Sequence, residues 1–422
     1  MRFSLLVAAS LIYSICSLVG SAEAFAQRVN YEEAPINYSV SKPSNRISEL
    51  QSMLDSGETP LRFEGSQGYL GSLLAHLQIP VSSQVLVMSR TSLQDNHISP
   101  KTPRAIYFSD ELHLGYVQGG LIEIAAHDPA LGMVFYTMEN TEGSPVLKRQ
   151  TNSCLTCHGA ARTKNVPGLM VRSVYPDPNG HPVVAAGSFV STHRSPLKQR
   201  WGGWYVTGTH GDQEHLGNFL LAEPKKPKTI NNEAGHNLMS LEGRFDTTAY
   251  LSSHSDIVAL MVLEHQADVY NILTQARFDI RYGLFLREQA GSDPAALKAA
   301  DESMTERLKK SSEQIVRAFL FCEEAPLTAP IAGTSTFAAD FTALGIRDPK
   351  GRSLRDFDLK TRMFKYPCSY LIETDVFHSL PTELKDAVKL RLLEVLKASE
   401  VPKEYQHLTP ETRTSILEIL KL

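Results

Sequence analysis

The chain of 422 residues is 42% hydrophobic and 21% charged, with a formal net charge of −4. This composition argues against disorder, a repeat array or a coiled coil, and the length suits two or three domains of about 100–200 residues each. So small a charge creates no field that would draw the chain to nucleic acid or an anionic membrane, and no nucleic-acid partner is expected.

The N-terminus reads as an export signal. Arg2 supplies a short positive region, Leu5 to Val19 carries no charge, and Ala24-Phe25-Ala26 ahead of Gln27 fits a small-x-small cleavage site. The apolar run is shorter than the roughly 20 residues that a spanning helix needs, so no transmembrane anchor is expected after cleavage. The expected location is periplasmic or secreted.

Residues 27–80 read as a helical N-terminal segment. Ser44 can cap a helix with Ile47, Leu50 and Leu54 on one face, and Tyr69, Leu70, Leu73, Leu74 and Leu77 form a second apolar stripe that Pro80 ends. Residues 81–222 read instead as a β-rich domain. Short β-branched and aromatic runs at 85–88, 105–108, 121–124 and 133–136 are separated by turn signals, and further runs lie at 170–175, 182–190 and 204–206. Asp177-Pro178-Asn179-Gly180 is a strong hairpin signal. Residues 223–245 read as a polar linker, and 246–422 as an α-helical domain. There Ser255 to Ala276 keeps a helical period, while Asp293-Pro294 and Thr409-Pro410 fit an N-cap followed by proline. The fold class expected is α+β: a mostly antiparallel β-rich domain, with a PAS-like sheet suggested by analogy, followed by an α-helical C-terminal domain.

The chemistry lies in Cys154-Leu155-Thr156-Cys157-His158. Two thiols three residues apart on one turn can reach both vinyl groups of a haem, and the next residue places an imidazole on the iron. This is the c-type haem attachment signature, and covalent attachment agrees with an export signal. One covalent haem c is therefore expected, bound through Cys154 and Cys157, with His158 as an axial iron ligand. A thioredoxin-like redox pair would want the motif to open a helix after a strand, without the histidine. A zinc site would need a second ligand pair, whereas Cys322 and Cys368 are isolated. Those two form either a disulfide or two buried thiols.

The chain resembles large secreted proteins of environmental bacteria with a single CxxCH, labelled as cytochrome c domain proteins. The resemblance covers most of the mature chain and rests on Ile98–Ala105, Arg200–Gly211 and Tyr366–Ile372 as well as the motif. It implies a haem and no established reaction. The layout differs from the small soluble cytochromes c, because residues 27–153 precede the motif and strands surround it.

The remaining expectations concern the surroundings of the iron. Arg200-Trp201-Gly202-Gly203-Trp204 and the residues to Gly211 form either a wall of the haem pocket or an aromatic core hairpin. Arg194, Lys198 and Arg200 are candidates for pairing with haem propionates, or form a solvated loop. His254, Met261 and His265 share a helical face, where a core role outweighs ligation. The distal iron ligand is expected to be His193, at a strand end, or His210, between Thr209 and Gly211, with an open iron as the alternative and Met170 packing inward. The function expected is single-electron transfer by a periplasmic monohaem cytochrome with unidentified redox partner proteins. The alternatives are a haem c enzyme or a redox or small-gas sensor with an open distal site, or a protein whose helical part docks a partner. Whether the chain is an enzyme is left open.

Overall fold

The computed structural model describes residues 29–222 and 231–422. The export signal with Cys16, and residues 223–230 of the expected linker, lie outside the described residues. Among the described residues, an antiparallel seven-stranded sheet organises the fold. Its strands are β1 (Val85–Val87), β2 (Arg104–Phe108), β3 (Leu112–Tyr116), β4 (Ile122–Asp128), β5 (Gly132–Met138), β6 (Lys148–Gln150) and, late in the chain, β9 (Trp204–Tyr205). The order β6-β5-β4-β3-β2-β1-β9 is a meander with one distant strand added beside β1. A separate two-stranded sheet pairs β7 (Val171–Val174) with β8 (Ser188–Ser191). The α+β class expected from the pattern is the one observed.

Most strands coincide with the apolar runs, but β3 does not. Leu112, Leu114 and Tyr116 alternate there with His113 and Gly115, so the strand is a period-2 pattern diluted by two residues of low β-propensity. The hairpin signal at 177–180 is a real turn, closed by Gly180 N–H donating to Asp177 O at 2.9 Å, with Asn179 and His181 amides donating to the Asp177 side chain. β8 nonetheless starts only at Ser188, because a short 3₁₀ turn at Val184–Ala186 intervenes.

Two helices precede the sheet. α1 (Arg46–Asp55) is capped by Asn45 rather than Ser44, its side chain accepting from the Ile47 and Ser48 amides at 3.1 Å. α2 (Leu70–Leu77) buries the predicted leucine stripe. The CxxCH motif forms the one-turn helix α3 (Leu155–His158). The remaining helices are α4 (Ile257–Gln289), α5 (Pro294–Phe319), α6 (Phe337–Ala343), α7 (Asp375–His378), α8 (Thr382–Lys397) and α9 (Pro410–Leu420). Asp293 and Thr409 cap α5 and α9 with proline at the first position, as the sequence suggests.

The helix α4 corrects the expected division at residue 246. Every residue from Ile257 to Thr274 is buried, which an amphipathic surface helix cannot achieve. One side of α4 packs on the β-rich part and another on the C-terminal helices, so a single apolar core runs from Ile36 to Ile419. The helical region is C-terminal in sequence but shares the core of the sheet. Residues 231–245 are anchored at points along their length: Leu241 is fully buried, and Leu238 O and Gly235 O accept from Gly208 N–H and the Asn218 amide at 2.8 Å, while Asn231, Glu233, Asn237, Ser240 and Glu242 are exposed.

Cys322 and Cys368 are both free and buried. The arginines near residue 350 make local ion pairs, Arg352 with Asp348 at 2.5 Å and Arg347 with Asp356 at 3.2 Å. Arg355 instead pairs with Asp110 and lies over the rings of Phe341 and Tyr370.

Candidate functional site

The motif turn is held from below. Leu155 is buried in the core, whereas Cys154 is half-buried, Cys157 is exposed, and both thiols are free. The His158 and Gly159 amides donate to Cys154 O at 2.9 Å and Leu155 O at 2.8 Å, which closes the turn and puts both sulfurs on one side of it. His158 is then clamped to Gly168 twice. Its carbonyl accepts from Gly168 N–H at 2.8 Å, and its Nδ1 lies 2.9 Å from Gly168 O. Because a carbonyl only accepts, Nδ1 carries the proton and Nε2 keeps its lone pair. Burial lowers the imidazole below its ordinary pKa, with the Gly168 bond pulling the other way, so it is neutral near pH 7.

Gly168 is itself positioned by α4. Asn271, 3% exposed, accepts from Leu169 N–H at 2.9 Å and donates to Leu169 O at 2.7 Å. A Cβ on residue 168 would stand 2.0 Å from the Asn271 side-chain oxygen, so only glycine fits there. The chain of support runs from α4 through the 168–169 loop to the tautomer of His158, and none of it is adjacent to the motif in sequence.

Beside the motif lies a cleft of about 180 Å³ that opens to solvent. One wall is a face of the sheet. Phe135 of β5, Ala125 of β4 and His113 of β3 are successive cross-strand partners on that face, with Gly115 and Glu123 beside them. The other wall is built from the motif, residues 169–172, Trp204, and Leu263 and Ala267 of α4. The His158 ring sits 5.0 Å from the Phe135 ring.

Three arginines line this cleft: Arg104, Arg162 and Arg172. Arg104 pairs with Glu123 at 2.8 Å. Burial pushes the Glu123 carboxyl up, but Arg104 with Gln94 and Ser92 outweighs it and holds the group below its ordinary value. Arg162 and Arg172 form no ion pair among the described residues, and Arg172 Nε is buried without a hydrogen-bond partner. The cleft therefore offers uncompensated positive charge at one side. Arg194 and Arg200 serve elsewhere, against Asp268 at 2.6 Å and Glu264, and Lys198 is exposed.

His193 and His210 do not line the cleft. His193 is packed against His265 and Phe321, with its Nδ1 3.2 Å from that of His265. His210 stands among His215 and His236, at ring separations of 4.6 and 5.3 Å, and its Nε2 accepts from Asn237 N–H. His193 is held instead by its neighbours beyond β8, and residues 207–213 turn toward α4 and residues 329–332. His254 precedes α4, and His265 is a core residue bonded to Ser369 at 2.8 Å. Of the two tryptophans, Trp204 lines the cleft, whereas Trp201 is buried elsewhere and donates to Glu264 at 3.2 Å. Gly202 and Gly203 admit protein neighbours, not a ligand: a Cβ at 202 would meet Val174 O at 2.2 Å. Met170 does line the cleft.

The residue that sequence reasoning missed is His113. It is 6% exposed, lines the cleft, and neither ring nitrogen has a hydrogen-bond partner. Burial pushes it down to about 3, against a smaller upward pull from the Gln266 side chain. The Phe108 ring stacks on it at 6.0 Å and Tyr270 meets it edge-on at 5.9 Å. His113 alternates with Leu112, Leu114 and Tyr116, so in the sequence it reads as the polar half of an ordinary strand pattern and gave no signal of its own.

No known protein family, curated protein or solved structure matches this chain, so the PAS-like analogy and the cytochrome resemblance remain expectations from the sequence. Among the described residues, no group of three or more His, Cys, Asp or Glu side chains is arranged to hold a metal ion, and no helix is long and apolar enough to cross a membrane.

Proposed function

We propose that the chain is an exported monohaem c-type cytochrome that passes single electrons. The observation that carries this reading is the CxxCH turn at a cleft, with His158 held as a neutral imidazole whose Nε2 lone pair is free. Iron ligation by histidine needs that tautomer, and the backbone acceptor at the other nitrogen raises ligand basicity. The residues present fit the group. Neither thiol is engaged in a disulfide, as attachment requires. Each would add across a vinyl double bond, sulfur joining one carbon and the thiol hydrogen the other, with no net oxidation. The unpaired Arg162 and Arg172 suit two propionates, because a guanidinium fork matches a carboxylate. When bound, haem supplies one-electron chemistry at its iron. The chain orients His158 through Gly168, excludes water with Phe135, Ala125, Leu263 and Ala267, and keeps the ring neutral.

The test is production of the full chain with a haem-attachment system, followed by mass measurement after denaturation and acid–acetone extraction. The expected mass is that of the chain plus one haem, lost in the double variant Cys154→Ser, Cys157→Ser. A chain from which all haem is extracted would overturn the proposal.

A further inference from the structure

The cleft contains a second imidazole that no well-formed hydrogen bond satisfies, with the Gln266 side chain the one polar group that bears on it. His113 is more than nine-tenths buried, and neither ring nitrogen makes a well-formed hydrogen bond; a buried polar group left in that state ordinarily has a partner that is absent. Its position suggests what that partner is. On the cleft face of the sheet, Phe135, Ala125 and His113 stand side by side on β5, β4 and β3. His158 is packed over Phe135. Ala125, whose side chain is only a methyl, thus stands between His113 and the Phe135 on which His158 is packed. Phe135 and His113 are separated by two strand spacings, so their backbones stand roughly 10 Å apart. A planar group lying over Ala125 would have an imidazole on either side.

We propose that His113 is the second axial ligand of the iron, reaching it from the sheet over Ala125. This rests on the haem reading above and replaces His193 and His210 in that role. Phe108 and Tyr270 fix the ring from two sides, and Gln266, whose side-chain oxygen is also unpartnered, is the polar group that bears on it. A neutral imidazole anchored in this way needs no rearrangement between oxidation states, which suits electron transfer and leaves no open position for a substrate. Met170 also lines the cleft, but it lies two residues from Gly168, the residue clamped to His158. It therefore belongs to the same wall as His158 and not to the one facing it.

The haem-loaded full chain is examined by visible and electron paramagnetic resonance spectroscopy, near-infrared magnetic circular dichroism and carbon monoxide binding. The expected wild-type iron is low-spin with two nitrogen ligands, and it binds no carbon monoxide without ligand displacement. In H113A it becomes high-spin and binds carbon monoxide stoichiometrically, added imidazole restores the low-spin state, and M170A keeps a low-spin iron with two nitrogen ligands. If the haem is attached but H113A leaves spin state and carbon monoxide binding unaltered, His113 is not a ligand, while the cytochrome reading stands. If H113A does not fold, the wild-type dichroism decides alone: a high-spin iron or a nitrogen–sulfur signature overturns the proposal. Failure to attach haem at all ends both readings.

Discussion

Replacement of Asn271 by alanine tests the support that links α4 to the motif. The side chain bonds both the amide and the carbonyl of Leu169, at 2.9 and 2.7 Å, and is 3% exposed, while Leu169 is 9% exposed. Alanine would strand both backbone groups where water cannot easily replace the amide. Each unsatisfied buried group costs about 1–3 kcal/mol, so the loss should be on the order of 2–5 kcal/mol after partial relaxation. Urea unfolding should show a lower midpoint at unchanged slope, since the surface exposed on unfolding is the same. Amide hydrogen exchange at Leu169 should accelerate in the native state. Asn271→Asp keeps the acceptor for Leu169 N–H but loses the donor, and should also be destabilised. A midpoint change worth less than about 1 kcal/mol, with Leu169 still protected, would show that the loop holds itself and that α4 does not position His158.

Two further outcomes follow from burial. The Glu324 carboxyl is raised to about 7, first by burial, with the Met363 amide and Arg362 opposing. The native chain therefore holds a proton that the unfolded chain releases above about 4.5, so this group's contribution to stability falls as pH rises from 4.5 to 7. Glu324→Gln should gain on the wild type across that window in paired urea titrations, and a constant difference would refute the assignment. Cys322 and Cys368 are buried free thiols, with burial pushing Cys322 up to about 12 and Cys368 further. Both should resist alkylation in the native chain and take one adduct each after unfolding without reductant, and recovery of unmodified residues would show a disulfide.

Local signals were legible because their causes are local. An Asp or Thr before a proline caps a helix through its own side chain, and α5 and α9 begin where Asp293 and Thr409 predict. The β-branched runs at 85–88 and 133–136 became strands, and the spacing of Cys154, Cys157 and His158 alone puts them on one turn. The order of strand-like runs and helical stripes bounded the class as α+β, but it could not show that α4 is shared between sheet and helices. That depends on what covers each face of the helix. The surroundings of the motif were illegible for the same reason. Arg104, His113 and Glu123 meet there only because antiparallel register sets Phe108 against His113 and Gly115 against Glu123, and a shift of one residue would turn each to the other face. Asn271 reaches Leu169 across 102 residues of chain, and His193 and His210 were drawn into other packing by His265, His215 and His236. The sequence by itself determined which atoms can be joined to a cofactor. Only the tertiary structure decided which side chain faces them, because a cleft is made by distant segments whose relative register no local pattern encodes.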